Sequence, residues 1–399
     1  MANTVPSALS PRIQGVAVEA LSETFAVLSK ANGDHSAEAA QKGQTINVAV
    51  PASLSAAAVT AANTAPAPSD ITTGSKTITL NQEYKTSFAL QAKHDQDYEL
   101  STATQEQIKE AVRGVAKQVN LSLIEQYYKI PYFVGNSGTG FFASNANLLS
   151  EADRILTDNL CPLEDRVWLC GTKDYAALIN LTEVHYANQF GGAVAQSGVV
   201  GDVRGFEVHR DQQLNATNKH TIGTLTDTGN IVCGANSVGD TSISVDCTAG
   251  TAAVDLKAGD IIAFSGATSE YYAIQADVTI AHSATGTITI DRGLETALAG
   301  TETMAFATDS GSNVFDADSI VMLGGNMKGL SIASRLPETA PMGYRTQGEH
   351  MPIVDPVSGF PMLLSIYPQY KQVALEVSAI WGVQVTDSKR LIRGLTYSS

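Results

Sequence analysis

The sequence predicts an α+β fold, and three stretches carry that expectation. Apolar and polar residues alternate through Thr45-Ile-Asn-Val-Ala-Val50 and again over 76–92, where Ile78, Leu80, Phe88 and Leu90 stand against Thr and charged neighbours. A period of two marks a strand with one buried face. Shortly after it, Ile108, Val112, Val115, Val119 and Leu123 recur every three or four residues among Glu106, Lys109, Glu110, Arg113 and Lys117, the pattern of one long amphipathic helix. Over residues 220–309 the texture changes to short β-type runs separated by Gly, Asn, Asp and Thr. Strands spaced in that way predict a small all-β barrel or sandwich.

Each element follows in chain order. Ser10 as cap, Pro11 as first helical residue and Ile13, Val16, Ala20, Phe25 and Leu28 as one face predict an N-terminal helix that stops at Asn32-Gly33. Residues 33–43 read as a polar connection. A strand over 45–51 ends at Pro51, and a small-residue excursion over 52–74 leads to the returning strand, 76–92. Together they make an arm, two strands joined by a long tip, and a loop of that length is either functional or disordered. The long helix opens at Thr104 with Gln107 three residues on, a capping-box pattern. Running over 105–129, it would span about 38 Å.

Residues 136–140 read as a turn. A helix over 147–159 carries Leu148, Leu149, Ala152, Ile155 and Leu156 on one face. A buried strand over 166–170, a helix over 173–181 and a strand over 205–209 give the βα alternation of a central globular domain. The strand-rich block holds runs at 243–245, 261–264, 271–274, 278–280 and 288–290, and the mixed pattern resumes after it, as expected of an insertion. Beyond it, strands are expected at 320–323, 329–332, 362–366 and 373–381, with 382–385 continuing the last and 389–393 closing it. The strands flanking Tyr367-Pro-Gln-Tyr370 should form a hairpin, with Trp381 as a core anchor.

Composition narrows the function. A chain of 399 residues, 44% hydrophobic and 16% charged, can bury a large core and is globular rather than disordered. Its formal net charge of −15 argues against a non-specific grip on nucleic acid, which needs Lys and Arg to neutralise phosphates. Like charges also delay premature self-association. The start lacks a basic region followed by an apolar run, so no secretory signal is expected. No segment reaches the roughly 20 apolar residues of a membrane helix. Cys161, Cys170, Cys233 and Cys247 show no CxxC spacing and read as buried reduced thiols, although Cys233 and Cys247 could face each other across a hairpin.

Catalytic patterns are missing. No GxSxG elbow, HExxH helix, P-loop or GxGxxG fingerprint occurs, and the seven histidines are scattered. Gly135-Asn-Ser-Gly-Thr-Gly140 follows a helix and lacks a P-loop lysine, so it reads as a turn. His94-Asp95-Gln-Asp97-Tyr-Glu99 reads as a solvated connector, with calcium as the alternative. Glu349-His350 reads as surface-turn chemistry in a loop running on to Pro352 and Pro356. No catalytic residue, cofactor or metal is therefore expected.

An arm strand of the type Ile78-x-Leu80 … Tyr84-Lys-Thr-Ser-Phe88 before a long helix resembles the major capsid proteins of tailed bacteriophages, the fold shared with herpesvirus capsids. So does a C-terminal strand pair ending in Ile380-Trp-Gly-Val383 before a basic tail. The resemblance covers nearly the whole chain as an order of elements. It implies an N-terminal arm or helix (1–42), an extended β-hairpin loop (43–92), a peripheral domain with a spine helix (93–146) and an axial domain in two parts (147–219 and 310–399, the second including the C-terminal strands). The all-β block (220–309) resembles the extra domain of certain short-tailed phage coat proteins.

On function, the resemblance implies pentamers and hexamers of one chain closing an icosahedral shell around double-stranded DNA in a virion assembled in the bacterial cytoplasm. It also implies a portal and no membrane. Some relatives weld neighbours through a lysine in the extended loop, but none lies between Lys42 and Lys76 here, so no such cross-link is expected. About forty residues precede the arm, which points to a separate scaffolding protein.

Val48, Val50, Ile78 and Leu80 on the arm are the candidate assembly contacts, the alternative being that they pack on their own subunit's helix. Arg113 and Lys117 could face packaged DNA but better suit a solvated helix face. Two other readings are a different phage structural or surface adhesion subunit with a β-insertion, and a hydrolase whose β-insertion binds carbohydrate.

Overall fold

A computed structural model describes residues 28, 30–50, 74–91, 103–136, 138–181, 201–309, 312–313, 318–338, 348–354, 358–370 and 372–397. The expected N-terminal helix, the arm tip and the His94–Glu99 cluster lie outside them, apart from the last residues of that helix. Along the chain, strands β1 (Asn32–Ala40), β2 (Thr45–Val50), β3 (Gly74–Thr79) and β4 (Gln82–Gln91) precede helix α1 (Ala103–Ile124). Then come β5 (Phe133–Gly135), α2 (Asn147–Asp158), β6 (Arg166–Cys170), α3 (Thr172–Ile179), β7 (Asp202–Val203) and β8 (Phe206–Arg210). Short strands fill residues 224–309. Afterwards the chain forms β9 (Ser319–Asn326), β10 (Leu330–Pro337), β11 (Glu349–Val354), β12 (Pro361–Gln369), β13 (Gln372–Val385) and β14 (Leu391–Tyr397). The chain divides into two compact units, one taking in Gly33–Val119 and Ser331–Thr386, the other Asn120–Leu330 and Asp387–Ser399.

The first unit is built on a six-stranded sheet in the order β1-β10-β13-β12-β11, with β4 also paired to β13. β13 is the hub. Antiparallel pairing aligns Gln372 with Gln91 and Trp381 with Gln82 on one side, and Gln372 with Gln369 on the other, so β12 and β13 form the expected hairpin. Trp381 is fully buried, with Phe360 and Tyr84 against it at 6.3 and 5.5 Å between ring centroids.

Four expectations are corrected in this unit. Residues 33–43 are mostly strand rather than connection, because pairing gives a polar segment its backbone partners; His35 Nδ1 lies 2.6 Å from the Ser334 hydroxyl and Asp34 pairs with Arg335 at 3.3 Å. The returning strand is broken at Leu80-Asn81, which sends β3 to β2 and β4 to β13. Glu349-His350 opens strand β11, whose Pro352 is tolerated because β11 sits at the sheet edge. Residues 389–393 do not prolong β13: a 3₁₀ turn at Ser388–Arg390 separates it from β14, which belongs to another sheet.

The long helix is α-helical only to Ile124 and tightens into a 3₁₀ turn over Glu125–Lys129. It begins at Ala103, so Thr104 lies within it. Ile108, Val112, Val115, Val119 and Leu123 are all buried, as the periodicity requires.

The second unit centres on a six-stranded mixed sheet, β5-β14-β9-β6-β8-β7. β6 runs parallel to β8, across α3, and antiparallel to β9, while β14 runs parallel to β5. Every residue of β6 is buried. A Cβ on Gly324 would come within 2.1 Å of the Trp168 ring, and one on Gly394 within 2.6 Å. Two glycines on successive strands thus vacate the slot that Trp168 fills, between Phe141 at 5.1 Å and Phe206 at 5.5 Å.

Residues 224–309 form four small antiparallel sheets among the described residues. They share one core that includes Ile243, Val254, Phe264, Tyr272, Ile288 and Met304. The chain enters and leaves at one point, where the His220 amide bonds the Ser319 carbonyl (2.8 Å) and the Ser319 amide bonds that of His220 (3.1 Å). All four cysteines are free and buried.

Candidate assembly surface

The arm pairs Thr45 with Thr79 and Val50 with Gly74. Alternation places Ile46 and Val48 on one face, opposite Ile78 and Lys76, while Thr77 on the other face donates to Asn47 at 2.9 Å. The root of the arm is fixed. The Leu80 amide bonds the Gln44 carbonyl and the Gly43 amide that of Leu80, each at 2.8 Å. Lys76 Nζ reaches the Val385 carbonyl at 3.1 Å. Gly382 lets β13 pass so close that a Cβ there would meet the Thr79 carbonyl oxygen at 2.1 Å.

The arm's apolar residues are therefore spent near home. Ile78 (1% exposed) and Leu80 (0%) join Ala40, Ala333 and Ile380 in a core cluster, with Ile46 and Val48 half-buried against it. As assembly contacts, Ile78 and Leu80 are corrected: they have no surface left for a neighbour, and the partner they found is the unit's own sheet. Val48 keeps part of its surface, and Val50 ends its strand opposite Gly74 with its side chain outside the description.

β4 is different. It is paired along its length to β13, yet none of its described side chains is buried, and among the described residues β13 is its one strand neighbour. Among the described residues no strand takes the opposite edge, and an edge of that kind is a template for a further strand. Glu83 and Tyr84 are exposed there, and Lys85 is tied to Glu376 at 3.2 Å. On α1, Arg113 and Lys117 both reach Glu110 at 3.9 Å, so their charge is partly spent within the helix face.

One buried polar constellation was not visible in the sequence. His220 Nε2 lies 2.8 Å from Asp260 Oδ1, and the Tyr127 hydroxyl 3.1 Å from His220 Nδ1. Asp260 also accepts from the amides of Gly223 (3.1 Å) and Lys257 (2.8 Å). Arg393, fully buried, donates to the Gly259 carbonyl at 2.6 Å, while its Nε and one Nη have no hydrogen-bond partner among the described residues. Burial lowers the Arg393 pKa to about 10 and raises that of Tyr127 to about 12. The order resembles a catalytic relay, but His220 and Asp260 are 2% and 0% exposed, so no substrate could reach them. The cluster ties the strand-rich block to β14. Sequence separations of 40 and 93 residues hid it.

No grouping of three or more His, Cys, Asp or Glu among the described residues could hold a metal ion, and no described helix is long and apolar enough to cross a membrane. No protein-family model matches the chain, and no characterised protein sequence does. Solved structures similar to it along most of its length include phage capsids. The capsid of Ralstonia phage GP4 is 7% identical over 92% of this chain and 87% of that one, with a TM-score of 0.47. The capsid of cyanophage P-SCSP1u is 11% identical over 92% and 87%, with a TM-score of 0.46. The mature capsid of bacteriophage PhiM1 is 10% identical over 92% and 86%, also at 0.46. Likenesses this distant do not carry function across.

Proposed function

We propose that this chain is a major capsid protein whose copies assemble into a closed icosahedral shell around double-stranded DNA, without catalysis. The observation that carries the reading is β4: a ten-residue strand with one strand neighbour and no buried side chain among the described residues, beside an arm whose root is held against β13. β9 and most of β13 are buried, whereas β4 is not, which suits a strand kept for pairing beyond its own chain. The rigid root would aim the arm over a neighbour, α1 would stiffen the tile, and residues 220–309, bridged at entry and exit, would be an inserted module. The acidic balance fits a shell that encloses nucleic acid without gripping it tightly.

A scaffolding protein and a portal are the proposed partners, in a virion assembled in the bacterial cytoplasm. Negative-stain microscopy of the chain, expressed with and without a scaffolding partner, tests this: closed shells are expected, and tubes or persistent monomers would overturn it. Deleting residues 52–73 should leave a folded subunit that no longer forms proper shells.

A further inference from the structure

Helix α2 ends in a turn of Schellman type. The Leu160 amide bonds the Thr157 carbonyl and the Cys161 amide that of Leu156, each at 2.9 Å. That turn places the residue after the cap in the left-handed region, where glycine is usual. Here it is Leu160, at φ 60°. Its side chain is 91% exposed, and that of nearby Leu163 is 70% exposed.

The loop that displays them is held firmly. Buried Arg166 donates from Nε to the Pro162 carbonyl (2.9 Å) and from Nη2 to that of Cys161 (2.8 Å), while its Nη1 reaches the Asp153 carboxylate and the Thr157 hydroxyl. Asn326 donates to the Glu164 carbonyl at 3.1 Å, and Asp165, also left-handed, pairs with Lys328 at 2.8 Å. Left-handed backbone at leucine and two apolar side chains in water both work against the isolated subunit.

We propose that Leu160 and Leu163 form a rigid apolar knuckle that docks on a second copy of this chain, an inference that rests on the self-assembly reading above. The chemistry of the flanking residues narrows the partner. Asp158, Glu164 and Asp165 are exposed beside the leucines in the chain, and Arg154 and Lys328 are already held by Asp158 at 2.7 Å and by Asp165 at 2.8 Å, which leaves little free positive charge for nucleic acid or anionic lipid. Size narrows it further. Two side chains fall far short of the ~800 Å² per partner that a free-standing pair buries. A contact this small suits a neighbour already held by other contacts, as identical subunits in a closed ring are, where each added contact acts at high effective concentration.

The test uses the full chain. The four native thiols are buried, and burial raises the pKa of each. In a Leu163→Cys variant the new thiol is therefore the accessible one. Maleimide should label it readily in free subunits and about tenfold more slowly in particles. Leu160→Asn, which suits the left-handed position, should keep or raise the subunit melting temperature while raising the concentration needed for assembly about tenfold. Labelling of particles at the free-subunit rate overturns the knuckle, as does assembly of Leu160→Asn at the wild-type concentration. A thiol already protected in the free subunit also overturns it, because the chain's own residues would then be the cover. Wild-type chain that never forms closed particles overturns the shell reading, and the knuckle falls with it.

Discussion

Strands β6 and β4 solve opposite problems. All five residues of β6 are buried, its two strand neighbours hold it on both sides, and glycines opposite Trp168 were kept small so that the indole could sit flat. β4 is twice as long and buries none of its described side chains; register with β13 is what holds it. In one strand side-chain packing decides stability. In the other, backbone pairing is helped by two side-chain contacts, Lys85 to Glu376 and Tyr84 on Trp381, and the outer edge has no strand partner among the described residues. Substitutions in β6 should therefore unfold the chain, whereas those in β4 should alter association first.

The largest expected break is Trp168→Ala, which empties the slot between Phe141, Phe206 and the two glycines. A loss of about 3–5 kcal/mol in urea-unfolding free energy is expected. Gly382→Ala comes next. Its methyl would strike the Thr79 carbonyl oxygen and push the arm root off β13, so a loss of about 1–3 kcal/mol should appear in the same measurement, together with impaired assembly.

A pH experiment sharpens the buried side of the contrast. Asp174, in the first turn of α3, accepts from the Thr396 hydroxyl at 2.8 Å, yet burial raises its carboxyl pKa above the usual range. The folded state then holds the proton more tightly than the unfolded one, so stability is full below the ordinary carboxylate pKa and erodes as pH climbs through the raised value. Asp174→Asn should remove that erosion. Its melting temperature relative to wild type should rise from acidic to neutral pH, and a constant difference would refute the assignment.

On the exposed side, Tyr84→Ala loses a stacking partner of Trp381 worth about 0.5–1.5 kcal/mol but should change assembly by more than that suggests. Lys117→Ala, on the solvated face of α1, should stay within about 0.5 kcal/mol of wild type, because its ion pair with Glu110 is long and exposed.

The same contrast explains what could be read from the sequence. β6 was legible to the residue, as were the apolar faces of α1 and α2 and five of the twelve strands that begin between 224 and 309, because burial writes its period into the residue types; the strands at 224–226, 253–256 and 304–306 were not read. Strands β1 and β11 were read as connections: Asn32–Ala40 and Glu349–Val354 are polar, small or proline-bearing, and only the strand beside them makes them strands. Ile78 and Leu80 announced a buried face without saying whose. The break at Leu80-Asn81 leaves one trace in the sequence, polar Gln82 where the alternation calls for an apolar residue, and the two separate pairings reveal it. Leu160 gave one faint signal, a helix end with no glycine where a glycine commonly stands.

The pairing of β13 and β14 has a consequence for synthesis. β13 bridges β4 and β12, and β14 lies between β5 and β9. A nascent polypeptide that has not yet delivered residues 372–397 can complete neither sheet, however long the ribosome pauses. On the shell reading, each copy would then gain its recognition surfaces only at the close of translation, and half-made chains would be kept out of a growing shell.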